Sequence, residues 1–207
     1  MNALKTITPS KARTNGATPH EPAPVVIPKI NLQVAQITLV GDSSLICHNW
    51  DAKAVQEMLD KQTGKAKAAK EHKDPEKCFR ASLYEHPEGG YGFPVVAFKS
   101  AAVDACSHVD GVTKVEARGA FHIQGEMAKI EGEPTMRKDM VRIGMGTADI
   151  RFRGEFKQWQ TTLTVRYNAN VLSLEQIVNL FQTAGFAIGV GEWRPQKDGS
   201  HGMFHVA

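Results

Sequence analysis

The stretch TTLTVRYNANVLSLEQIVNLFQTAGFAIGVG, residues 161–191, decides the fold. Its first seven residues alternate polar and apolar, the period of a half-buried strand. Ser173 followed three residues later by Gln176 is a capping box, in which each residue's side chain answers the other's backbone amide at a helix start. Leu174, Ile177, Val178, Phe181 and Ala184 then recur at helical spacing and mark the buried face. Gly185 is expected to end the helix. A Gly-rich segment follows, and residues 202–206, GMFHV, resume as a strand. The chain therefore closes as strand, helix, turn, strand.

Outward from this unit, residues 31–40, NLQVAQITLV, alternate in the same way and predict a second strand. Residues 41–44 form a turn, and residues 45–48 a short apolar piece. Asp51 is an N-cap for a helix with Val55, Met58 and Leu59 on one face. Residues 79–84 read as a strand, 87–90 as a turn, and 91–99 as a stretch leading into a helix with Ala102, Ala105, Cys106 and Val109, closed by Gly111. Cys106 is expected to fill core space. Residues 121–123 and 127–130 are short strands, 134–146 a loop or small lobe, and 150–153 a strand. The expected class is α+β: a ferredoxin-like or RRM-like antiparallel sheet with helices on one face and an inserted lobe.

Residues 1–29 are expected to be a disordered basic arm, broken by Pro9, Pro19, Pro22, Pro24 and Pro28 and carrying Lys5, Lys11 and Arg13. Residues 30–207 are expected to be a single RRM-like domain with insertions near 61–78 and 112–148. Within the first insertion, residues 62–74 are mostly Lys, Ala, Gly and Glu, a basic helix or loop with no apolar stripe to bury.

Composition narrows the function. Hydrophobic residues make up 42%, enough for a core, and the net charge of +3 permits a nucleic-acid partner without requiring one. No apolar run approaches the ~18 residues that suggest a membrane span, so no membrane partner is expected. Three cysteines without a C-x-x-C point to a reducing compartment, and the cytoplasm is the expected location. His48 beside Cys47, His108 near Cys106, and the pair His201 and His205 do not add up to a zinc ligand set, so no metal and no cofactor are expected. No G-x-S-x-G or H-E-x-x-H motif occurs, and no catalytic residue is assigned. His48, His122 or His201 could serve a metal-independent ribonuclease, but nothing in the sequence selects among them.

Two clusters suit nucleic acid. In the Gly-rich segment, Gly189 and Gly191 allow close backbone approach to an anion, Trp193 offers a stacking face and Arg194 a charge; the plain alternative is a hairpin tip that needs glycines. The second cluster is Arg137, Lys138, Arg142, Arg151 and Arg153, joined by Arg166 through a neighbouring strand. Arg151 and Arg153 share one strand face. Phe152, Phe156, Trp159 and Tyr167 are interleaved with them, as tracking of a single strand requires. The rival reading pairs these arginines with Asp139, Asp149 and Glu155.

Three segments resemble the RAMP superfamily, the RRM-like proteins that build CRISPR effector complexes. Residues 34–48, a strand followed by GDSSLI, resemble the family's opening strand and turn. Residues 93–102, FPVVAFKSAA, resemble its strand-to-helix junction, with Ser100 where the family prefers Gly. Residues 189–204 resemble its C-terminal Gly-rich loop running into a strand, and Ser44 stands where the family prefers Pro. The chain also resembles small proteins of tailed bacteriophages, which would place it in a host cytoplasm. The resemblance implies RNA or single-stranded DNA binding by Lys99, Trp193 and Arg194, with the Arg137–Arg153 region as a thumb-like insertion and copies assembled as a homo-oligomer on the strand. The expected function is non-catalytic binding of single-stranded nucleic acid, in cooperative oligomers. The alternatives are a metal-independent endoribonuclease of the RAMP type, or a phage interaction protein that joins a host or phage protein complex by mimicking a defence-complex subunit.

Overall fold

The computed structural model describes residues 27–49, 52–64, 72–143 and 146–207. Most of the expected basic arm, the proposed cap Asp51 and residues 65–71 of the lysine-rich stretch lie outside them. In chain order the elements are β1 (Leu32–Gly41), β2 (Leu45–Ile46), α1 (Ala52–Gln62), α2 (Pro75–Ser82), β3 (Tyr84–Glu85), β4 (Tyr91–Pro94), α3 (Val95–Ala105), α4 (Lys114–Ala120) and β5 (Phe121–Ile123). There follow β6 (Met127–Ile130), β7 (Pro134–Ile143), β8 (Thr147–Phe156), β9 (Gln160–Asn168), α5 (Leu174–Ala187) and β10 (Phe204–Val206).

The principal sheet has the order β10-β1-β9-β5 and is antiparallel throughout. With α3 between β1 and β5, and α5 between β9 and β10, this is the βαββαβ unit of the ferredoxin-like fold. The alternation seen in the sequence sets its two faces. Ile37, Leu39, Leu163, Val165 and Phe121 point inward and are buried against Phe98, Ala102, Ile177, Leu180 and Phe181 of α3 and α5. Each large apolar side chain buried this way contributes about 1.5–3 kcal/mol. Helices α3 and α5 lie on one face, and among the described residues the other side of the sheet is open.

The remaining strands form two small sheets, β2-β8-β7 and β3-β4-β6. β7 and β8 pair over ten residues each, a ribbon about 33 Å long at ~3.3 Å per residue. It is anchored where α2 meets β8: the Gly154 amide donates to Ser82 Oγ at 2.8 Å, and Leu83 fills the space a Cβ at Gly154 would need.

Several local expectations change. Residues 79–82 are helical, because Asp74 caps α2 by accepting from the amides of Glu76 and Lys77, and Pro75 suits the first helical turn. Helix α3 starts at Val95, so residues 95–99 are not extended. Residues 134–143 form strand β7, not a loop: its polar sequence hides the period because most of its side chains are exposed or join an ion network. Helix α4 follows a Thr113–Glu116 capping box that the apolar pattern does not mark. Gly185 does not end α5, which runs on to Ala187. A Cβ at Gly185 would lie 1.7 Å from the Phe204 carbonyl oxygen, so the glycine lets β10 cross the helix closely. The chain turns at Gly189 instead, at φ +67°, with its amide donating to Ala184 O at 2.8 Å.

Candidate nucleic-acid interface

The residues singled out in the sequence fall into three places. Arg137, Arg151 and Arg153 share one face of the β7–β8 ribbon, as strand periodicity requires. Their charges are answered by carboxylates. Arg137 donates to Asp139 at 2.7 Å and to Glu155 at 3.0 Å. Arg153 is 5% exposed and pairs with Asp139 at 3.3 Å and with Glu192 at 3.8 Å; its Nε has no hydrogen-bond partner. Arg151 pairs with Asp149 at 3.5 Å, and Lys73 also donates to Asp149. Arg142 lies on the opposite face of β7, exposed beside Met140 and Lys138.

Arg166 is not on that surface. β9 pairs with β1 and β5, so Arg166 stands on the open face of the principal sheet, in one row with Val34 and His122. The outward side chains here include Val34, Gln36 and Thr38 of β1 and Thr162, Thr164 and Arg166 of β9. None of the outward positions of β1, β5, β9 or β10 is a carboxylate. Thr38 and Thr162 hydroxyls meet at 3.1 Å. Lys99, on α3, reaches round the edge strand. Its Nζ donates to Arg118 O at 3.1 Å, lies 2.9 Å from His122 Nδ1 and sits over the Phe121 ring. Burial holds its ammonium below the usual lysine range. The fold thus gathers Lys99, His122 and Arg166, of which the sequence reading had tied neither Lys99 nor His122 to Arg166.

The Gly-rich segment forms the third place. Its amides are largely spent within the protein: Gly189 on Ala184 O, Val190 on Gly202 O, Glu192 on Ile46 O and Gly199 on Arg194 O. The expectation that glycine-exposed amides await phosphates does not hold for Gly189. Trp193 is partly exposed in the left-handed region, at φ +56°. Arg194 is oriented by donating from NH1 to Gly191 O at 3.0 Å and from Nε to Gln196 Oε1 at 3.1 Å. The proposed stacking aromatics Phe156, Trp159 and Tyr167 are all buried in the core, and Trp159 spends its indole N–H on Ser43 O.

Between this segment and α3 lies a cleft of about 390 Å³, lined by His48, Tyr84, Ser100, Glu192, Arg194 and Gln196 over an apolar floor. His48 Nδ1 lies 3.2 Å from Glu192 Oε1, and its Nε2 lies 3.3 Å from Arg151 NH1. The hydrogen bond from His48, with Arg153 and Arg194 nearby, holds the Glu192 carboxyl below the usual range. Cys47, next in the chain, is buried and its thiol is pushed up to about 12, so it does not supply a thiolate. Among the described residues no group of three or more His, Cys, Asp and Glu side chains is placed to hold a metal ion, and no helix is long and apolar enough to cross a membrane.

A scan against protein-family models finds no match, and a search of curated proteins finds none. Among solved structures, the crystal structure of Cmr6 from Pyrococcus furiosus is similar at a TM-score of 0.46 and 11% identity, over 86% of this chain and 100% of that one. The ferredoxin-like order of strands and helices stands on the hydrogen-bonded registers of this chain itself.

Proposed function

We propose that this protein binds single-stranded RNA or DNA across the open face of its principal sheet. The observation that carries this reading is the chemistry of that face. It offers hydroxyl and amide side chains in rows, an aliphatic patch at Val34, and a corner where the cations Lys99 and Arg166 flank His122 with no opposing carboxylate. A phosphate backbone supplies the missing anion, and sugars and bases suit the hydroxyl and amide rows. Arg142 and Lys138, on the acid-free side of the ribbon, extend the basic surface. Trp193 and Arg194 belong to the same reading through the resemblance noted in the sequence, beside Gly189 and Gly191. Arg137 and Arg153 serve instead to hold the ribbon, since their charges are already neutralised.

Phosphate binding releases counterions, so affinity must fall as salt rises. Fluorescence anisotropy of a labelled single-stranded oligonucleotide should show that fall, and Arg166→Ala should weaken binding and lower the salt slope by about one counterion. Affinity that is indifferent to salt, or an Arg166→Ala protein that binds like the parent, removes the open face from the reading.

A second reading, cleavage of RNA without metal, is favoured by one observation: His48 is held between a carboxylate and a guanidinium, the arrangement that orients a proton-transferring imidazole. Incubation with structured RNA in chelator distinguishes the two readings. Cleavage that disappears in His48→Ala makes the protein an enzyme; intact RNA leaves it a binder.

A further inference from the structure

We infer that the cleft between α3 and the segment 189–196 is a nucleotide subsite separate from the open sheet face. The inference deepens the reading above in that a bound strand would supply the nucleotide. Three observations carry it.

The first is shape and size. At about 390 Å³ the cleft falls within the range of small-molecule sites. Its floor is apolar, with Ile46, Ala97, Ala101 and Val190 among the lining side chains, all of them without polar atoms. That surface suits the face of a planar base.

The second is charge. The two carboxylates on the lining do not ask for a cation. Asp104 is taken by Lys114 at 2.8 Å and by Gln196 at 2.8 Å, and Glu192 by His48. An uncharged ring bearing donors and acceptors therefore fits better than a cation, and Ser100, exposed on α3, offers it a hydroxyl.

The third is the guanidinium of Arg194 at the margin. Arg194 is held in place by Gly191 O and Gln196, which leaves part of its fork unspent. Arg151 does not line the cleft; it lies 3.3 Å from Nε2 of His48, which does, and pairs with Asp149 at 3.5 Å. A pre-oriented guanidinium beside an apolar floor matches an anion attached to a flat ring, which is the chemistry of a nucleotide. Neither half alone uses both features.

The test uses the full chain and two probes. Titration with adenosine 5′-monophosphate, followed by amide resonances, should shift residues of the cleft. Inorganic phosphate should do so only at much higher concentration. Ser100→Trp, which fills the cleft from an exposed position, and Arg194→Ala should each weaken monophosphate binding by about tenfold or more, the loss expected for a blocked pocket or a missing charged donor. The second probe is a single strand carrying one 2-aminopurine, which brightens when it leaves the base stack. It should brighten on binding to the parent protein and stay dark with Ser100→Trp, while anisotropy still reports a bound strand.

The outcomes separate the two ideas. Monophosphate shifts without any strand binding keep the cleft and overturn the open-face reading. A strand that binds through Arg166 but never brightens, together with unmoved cleft resonances, overturns the cleft. Shifts that persist unchanged in both variants place the nucleotide elsewhere and also overturn it. Circular dichroism of each variant against the parent confirms that the comparison is between folded proteins.

Discussion

Single residues show why an arginine count is a poor guide to a binding surface. Arg153 is buried, and a buried guanidinium is tolerated only where carboxylates answer it. Asp139 and Glu192 do so here, and this commits the charge to the fold. Arg166 stands exposed on a sheet face whose strand positions carry no carboxylate, so its charge is not committed to the fold in this way. Glu192 gives this level a pH signature. Its folded-state carboxyl lies below the ordinary glutamate value, chiefly because His48 hydrogen-bonds it. A depressed carboxyl stabilises the folded state above its unfolded-state value, and that contribution is lost as pH falls through the folded-state one. Urea midpoints should therefore separate the parent from Glu192→Gln at neutral pH and converge on acidification through the carboxylate range. A gap that stays constant with pH would show that the carboxylate's charge is not what Glu192 contributes.

Elements obey their local signals where those signals are complete. Ser173 and Gln176 cap α5 reciprocally, so Ser173→Ala should cost about 1 kcal/mol, the usual value of such a cap. Gly185 makes a different point within the same helix. In an isolated helix, alanine would be the better residue by roughly 0.8–1.0 kcal/mol. Here the added methyl would strike the Phe204 carbonyl, and Gly185→Ala should be destabilising by about 1–3 kcal/mol as an overpacked site. Chemical denaturation of the two variants checks both signs; a stabilised Gly185→Ala would mean that β10 yields freely. The capping box and the apolar stripe of α5 were legible because they concern neighbours in sequence. The role of Gly185 was not, because the Phe204 carbonyl is distant in the chain.

At the scale of the molecule, the fold separates charge that binds the protein together from charge that faces outward. The β7–β8 ribbon carries an ion network on one face, and on the other Lys138 and Arg142 with exposed Met140 and Ile150. We propose that this outward strip meets a neighbouring copy on a bound strand. If copies assemble cooperatively, light scattering should report a larger particle per protein in the presence of a long oligonucleotide than of one sized for a single copy, and Met140→Glu should suppress the difference. Equal stoichiometry per nucleotide with no cooperativity in either protein would leave the strip without that role.

The alternation in residues 31–40 and 161–167 and the periodicity of 174–184 were sufficient for the α+β class and for helices on one side of a sheet. Such patterns report which side of each segment avoids water, and nothing more distant is needed. They were silent on which strands lie side by side. Arg166 could be joined to Arg151 and Arg153 on paper, and Lys99 entered only through resemblance, because strand partners are chosen by contacts between residues far apart in the chain. Only the tertiary structure placed β9 between β1 and β5, brought Lys99 and His122 to Arg166, and set carboxylates against Arg137, Arg151 and Arg153. Periodicity is a property of neighbours, whereas electrostatic neutralisation depends on whichever charges folding brings within a few ångströms.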